Sequence, residues 1–168
     1  MLDSLITSKT RLRLLIKFFL NIGNKGYLNS LANEFGESTN SIRKELNNLS
    51  SAGYLEKHSE NNKVIYKANA SHPLFKIIQK IVHKHLGIEE ILETVYNRIG
   101  YVKKIEILGD YAEGIDSGLI EILVVGDNID KEYLDEIAPK IESKIKRKVS
   151  FFVSNKNLKQ KTLTIFEI

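Results

Sequence analysis

The period of the apolar residues changes at Gly53, and that change restricts what the first part of the chain can fold into. Upstream of it the spacing is helical. Leu12, Leu15, Ile16 and Phe19 recur at three and four residues, with Leu14 and Phe18 beside them, and Ser8 stands where an N-cap is wanted. That stripe is wide, which predicts a largely buried helix. Asn21 to Gly26 reads as a turn. Leu28, Leu31, Ala32 and Phe35 mark a short second helix ended by Gly36. Ile42, Leu46 and Leu49 mark a third, capped by Ser38 or Thr39 and stopped by Gly53. Downstream of Gly53 the period is two. Tyr54 to Lys57 and Lys63 to Ala68 read as a hairpin whose tip is the polar stretch Ser59 to Asn62.

Helix, short helix, turn, helix and hairpin follow one another in the order of a winged helix-turn-helix. The stretch from Leu28 to His58, LNSLANEFGESTNSIRKELNNLSSAGYLEKH, resembles bacterial regulators of the MarR and ArsR type. Those proteins follow a short Leu-Ala helix and its glycine with a polar turn, then a helix whose ending matches Leu46, Leu49, Gly53, Tyr54 and Leu55 here. The resemblance covers about the first 70 residues and implies a module that binds double-stranded DNA. The chemistry of the third helix agrees. With Ile42, Leu46 and Leu49 turned inward, Asn40, Arg43, Lys44 and Asn47 face out. A recognition helix presents such side chains to base edges in the major groove, Arg pairing with guanine and Asn with adenine. Ser38, Thr39 and Ser41 stand at the helix N-terminus, where hydroxyls and the dipole suit a phosphate. In the wing, Lys57, His58, Asn61, Asn62 and Lys63 are candidates for a neighbouring groove or backbone. The competing reading of the same surface is a winged helix used for protein contacts.

Charge distribution fits the nucleic-acid reading. The net formal charge is +4, and residues 1–70 alone carry an excess of four, against +1 for residues 71–100 and −1 for 101–168. A mildly basic module suits phosphate contact, although an excess of this size is also common on inert surfaces. The chain has no cysteine, which excludes disulfides, thiolate zinc sites and thiol sensing. No apolar run has the length of a membrane span, and MLDSLITSKTRLRLL does not read as a secretory leader. The expectation is a cytoplasmic protein with no membrane partner.

The middle of the chain reads as two helices. Ser71 is placed to cap one, with Pro73 in its first turn and Leu74, Ile77, Ile78, Ile81 and Val82 along it. Gly87 interrupts it, and Ile88, Ile91, Leu92, Val95 and Ile99 form the next stripe. These stripes are too rich to leave exposed, so the two helices are expected to supply dimer or interdomain surface. Beyond them come strands at 102–108, 119–125 and 149–153 and a helix over 130–145 carrying Leu134, Ile137, Ile141 and Ile145, with Pro139 inside it. Thr162 to Glu167 fits either a fourth strand or a last helical turn.

Gly109 to Gly126, GDYAEGIDSGLIEILVVG, resembles the nucleotidyltransferase signature, in which a strand ends in Gly-Ser, a loop bears Arg-Gly and a second strand carries Asp-x-Asp. The likeness spans about 50 residues. Its departures are chemical. Alternate strand residues share a face, which is how Asp-x-Asp clamps two metals. Here those positions hold Leu119 and Glu121. The family serine is Asp110, the loop arginine is Glu113, and residues 143–166 contain no acid for a third ligand. The resemblance therefore implies a domain without catalysis, cofactor or metal. Its loop residues Gly109, Asp110, Gly114, Asp116, Ser117, Gly118 and Glu121 remain candidates for an unidentified small ligand, although glycines there also serve the turns themselves. His85 and Glu89 are one turn apart, as in a metal sensor, but His83 and His85 point to different helix faces and a fourth ligand is missing, so they read as exposed side chains on a basic helix. Lys144, Lys146, Arg147, Lys148, Lys156, Lys159 and Lys161 form an acid-free basic run, read either as a second phosphate-contact patch or as a solvated helix end.

The sequence thus predicts an α+β chain: a winged helix-turn-helix over 1–70, linker or dimerisation helices over 71–100, and a small, degenerate nucleotidyltransferase-like α/β domain over 101–168. The function it predicts is a homodimeric, sequence-specific DNA-binding transcriptional regulator, not an enzyme. The alternatives are an active nucleotidyltransferase with an accessory winged helix, and a protein–protein adaptor.

Overall fold

A computed structural model describes residues 2–96, 99–156 and 161–168. The architecture is α+β. The chain divides into two compact units, Met1–Val82 and His83–Ile168.

In the first unit, α1 (Lys9–Phe19), α2 (Leu28–Phe35) and α3 (Thr39–Ser51) enclose a core of Leu14, Phe18, Phe19, Leu31, Ile42 and Leu46, all fully buried. The caps follow the sequence. Ser8 accepts from the Arg11 amide, Ser38 accepts from the Ser41 amide, and Gly36 closes α2 in the left-handed region at φ 62. Strand β1 (Lys25–Tyr27) pairs antiparallel with β3 (Lys63–Ala68), which pairs with β2 (Leu55–Glu60), giving the order β1-β3-β2.

Two details differ from the sequence reading. The hairpin tip is Asn61-Asn62, not the four residues from Ser59, because both asparagines adopt positive φ, 48 and 60. A two-residue turn of that hand matches the strand twist, and asparagine tolerates it. Helix α4 (Phe75–Leu86) starts four residues after Ser71 rather than directly behind it. The Asn69 side chain organises this corner instead: it accepts from the Ser71 amide and donates to the Gly53 carbonyl, both within 3.0 Å.

In the second unit, α5 (Ile88–Tyr96) follows Gly87 directly, and α7 (Lys131–Ile145) packs against it. The sheet runs β6-β5-β4-β7, from β4 (Tyr101–Leu108), β5 (Leu119–Asp127), β6 (Lys148–Ser154) and β7 (Leu163–Glu167). Among the described strands of this sheet only β5 and β6 pair parallel, joined by α7 as a crossover. Thr162 to Glu167 resolves as the strand β7, and α7 continues through Pro139. Ile88, Ile91 and Val95 of α5 are buried with Ile107, Ile122 and Val124 of the sheet. The large apolar residues left exposed in the helical middle are Leu74, just before α4, and Ile77 and Ile81 on it. Among the described residues no helix is long and apolar enough to cross a membrane.

Candidate nucleic-acid interface

Helix α3 has two chemically distinct sides. Ile42, Leu46 and Leu49 are buried, and Ser38, Thr39, Asn40, Ser41, Arg43, Lys44 and Asn47 are all exposed. The split follows from helical geometry, since residues three and four apart share a face. On the outer side the Arg43 guanidinium donates to Asn40 Oδ1 at 3.4 Å, which places the two base-reading candidates side by side. Ser38 Oγ, 3.0 Å from Ser41 Oγ, is already engaged in capping.

Glu45 was passed over by the sequence reading. It is 6% exposed, accepts from Ser8 Oγ at 2.7 Å, and receives Arg11 Nε at 2.8 Å. Its signal was present in the sequence: it lies three residues after Ile42 and four before Leu49, on the apolar face. The same theme recurs nearby. Arg13 pairs with Glu37 at 2.8 Å and Lys17 with Glu34 at 2.8 Å. Three cations of α1, Arg11, Arg13 and Lys17, therefore pair within the module, with α3, the turn before it and α2, whereas Arg43 and Lys44 of α3 face solvent. Burial pushes the Glu45 carboxyl up, but the hydrogen bonds from Ser8 and Arg11 outweigh it and hold its pKa below the usual glutamate range. A depressed pKa contributes stability that is present above the unfolded value and lost as pH falls through the folded one. Acid should therefore loosen the α1–α3 contact. Glu45→Gln should remove that part of the pH dependence and cost about 1–2 kcal/mol at neutral pH, as measured by urea unfolding between pH 7 and pH 3.

The wing gathers its cations over rings. Lys63 Nζ stands 4.8 Å from the Tyr27 ring centroid, and Lys57 Nζ stands 5.8 Å from that of Tyr66. Tyr27 was not singled out from the sequence because β1 was read as part of a turn. His58 Nε2 lies 3.2 Å from Glu56 Oε2, which also receives Lys67 at 3.1 Å, so His58 joins a small polar cluster across β2 and β3. Asn61, Asn62 and Lys63 are exposed at the tip beside Val64.

The candidate ligand loop in the second unit is organised differently. Gly109 opens the one-turn helix α6 (Gly109–Ala112) at φ 58, and a Cβ there would stand 2.2 Å from Glu121 Oε2. The Glu121 carboxylate is thus lodged against the glycine. Asp116 receives Arg147 Nε at 2.9 Å and Nη2 at 2.6 Å, and the buried Tyr111 hydroxyl donates to it. Burial raises the Asp116 pKa, but Arg147 and then Tyr111 lower it further, so the net shift is downward. Arg147 Nη1 also donates to the Ile145 and His85 carbonyls at 3.1 and 3.3 Å. Asp116 and Arg147 therefore brace the loop from within. Asp110 and Ser117 are exposed, and Gly114 and Gly118 supply positive φ. Gly118 also borders a cavity of about 450 Å³ whose other walls include Ser143, Lys146, Arg147 and Lys148. In the basic run, Lys148 pairs with Glu142 and Lys161 with Glu113, and Lys144, Lys146 and Lys156 are exposed. Lys159 lies outside the described residues. Glu106 of β4 is a further acid that the sequence reading did not weigh. It shares a sheet face with Glu121, but Lys104 at 2.8 Å and Thr162 at 2.7 Å already engage its Oε1. Among the described residues no group of three or more His, Asp or Glu is placed to hold a metal ion.

No protein-family profile matches this chain. No curated protein matches it either. Among solved structures it is similar to Sso10a-2, a DNA-binding protein from Sulfolobus solfataricus. The identity is 19% and the TM-score 0.36, over 51% of this chain and 86% of that one. A likeness that slight carries no functional weight, which falls instead on the surface of α3.

Proposed function

We propose that this chain is a sequence-specific, double-stranded-DNA-binding transcriptional regulator that works as a homodimer. Its C-terminal domain is nucleotidyltransferase-like and catalytically inactive, and serves ligand sensing or assembly. The observation that carries the reading is the exposed row Asn40, Arg43, Lys44 and Asn47, opposite the buried Ile42, Leu46 and Leu49. Amide and guanidinium groups in that pattern read purine edges in a major groove. Ser38, Thr39 and Ser41 contact phosphate at the helix start, and Lys57, His58, Asn61, Asn62 and Lys63 extend the footprint through the wing. The inactive reading of the C-terminal domain is supported by the carboxylates themselves. Glu121 is packed on Gly109, Asp116 is held by Arg147, and Glu106 is held through Oε1 by Lys104, with Oε2 buried and unpartnered. Two-metal phosphoryl transfer needs such oxygens open to cations.

The test is selection of duplexes from a random library with the full chain at stated salt. The selected site should be near-palindromic, and log K should fall linearly with log salt. Binding with no sequence preference, or none that salt weakens, would reject the proposal.

A further inference from the structure

Strand β6 ends the sheet, and its outer edge is unpaired among the described residues. The parallel ladder fixes which residues point outward. The Lys148 amide bonds to the Gly118 carbonyl, so Lys148, Ser150, Phe152 and Ser154 direct their backbone groups at β5. Val149, Phe151 and Val153 direct theirs away from the sheet. The Val149 amide is already capped, by Glu142 Oε1 at 2.9 Å. Phe151 and Val153 remain, two residues apart. The edge is unlike a protected one: Val149 to Ser154 contains no charge, no proline and no glycine, and its pairing with β5 runs without a bulge. Phe152 and Val153 are exposed on it, at 44% and 37%.

We propose that this edge is a pairing surface for a second copy of the chain, the two β6 strands running antiparallel about a two-fold axis at Phe152. That register sets Phe151 opposite the partner's Val153 and exchanges the outward N–H and C=O groups in both directions. The Glu142 cap on Val149 stays intact. Phe152 meets its own copy as a non-hydrogen-bonded pair, in which side chains approach most closely. Ser150 falls opposite the partner's Ser154, so no charges meet across residues 150–154, and Lys148, which this register sets towards the partner's Lys156, is paired with Glu142 of its own chain. The residues left open in one chain are thus the residues that the pairing covers. The apolar stripe of α4 fits self-association less well, because Lys76 and Lys80 are exposed along the helix and it carries no acid to offset them. The pairing supplies a surface for the self-association within the functional reading above, yet it requires no DNA and stands or falls separately from it.

Because the chain lacks cysteine, a single introduced thiol reports only on contacts between copies. Phe152→Cys should cross-link on mild oxidation, since opposed strand residues lie within disulfide range, and Ile77→Cys on α4 should not. In sedimentation equilibrium the unmodified chain should reach twice its 19.2 kDa mass. Phe152→Lys and Phe152→Glu should each weaken association about tenfold or more, and a mixture of the two should restore it. A chain that stays monomeric at about 100 μM, cross-linking through the Ile77→Cys variant alone, or a dimer indifferent to both Phe152 substitutions overturns the proposal. Duplex titration of the same variants separates this failure from a failure to bind DNA.

Discussion

Arg43→Ala should weaken binding to the selected duplex by about 1–3 kcal/mol while leaving the fold unchanged. The reason for a large effect on affinity is chemical. A guanidinium presents a planar fork that meets both acceptors of a guanine at once, and no other exposed residue of α3 has that geometry. The reason for a small effect on the fold is structural. The Arg43 side chain is exposed, and its hydrogen bond to Asn40 spans 3.4 Å between two surface groups. Surface substitutions of this kind stay within about 0.5 kcal/mol. Lys44→Ala is the informative companion. A lysine on phosphate contributes equally to every sequence, so its loss should lower affinity uniformly and reduce the salt slope by about one. Fluorescence anisotropy with the selected and a scrambled duplex distinguishes the two patterns. If Arg43→Ala stays folded and binds both duplexes as before, α3 does not read bases.

How legible this surface was in the sequence depends on how local its causes are. The two sides of α3, the caps at Ser8 and Ser38 and the stop at Gly36 follow from residues within one or two turns of each other, and all stand in the structure as the spacing implies. Strand β1 depends on a partner forty residues away. Lys25 pairs with Lys67 and Tyr27 with Ile65, and a three-residue strand between turn-forming residues has no period of its own. That is why Tyr27 under Lys63 escaped notice. The start of α4 was misplaced for a related reason. Ser71 before Pro73 has the local form of a cap, but Asn69 forms the turn there by holding the Gly53 carbonyl. In the second unit the glycines were visible and their neighbours were not. Gly109, at φ 58, lies against the carboxylate of Glu121, twelve residues on, and Asp116 is held by Arg147, which the sequence placed in a basic run. A charged run read along the chain does not reveal which of its members turns inward.

Gly87→Ala should destabilise the second unit by about 2–5 kcal/mol, a large fraction of the total stability usual for a domain. Two separate costs meet at this position. Gly87 joins α4 to α5 at φ 82, a conformation that costs an L-residue about 1–2 kcal/mol. It also lies against the end of α7, where an added Cβ would stand 2.2 Å from Ile145 Cγ2 and 2.7 Å from its Cβ. Ile145 is buried and branched at the clashing carbon, so relief requires moving α7 or the helix junction, and overpacking of that kind costs about 1–3 kcal/mol. Gly118→Ala isolates the first cost, since Gly118 has φ 89 and no atom within 4 Å of the added carbon. Urea unfolding of the two variants should therefore show Gly118→Ala losing about 1–2 kcal/mol and Gly87→Ala clearly more. Equal losses would mean that Ile145 gives way freely, and that the close packing of the α4–α5 junction on α7 contributes nothing to holding this unit together.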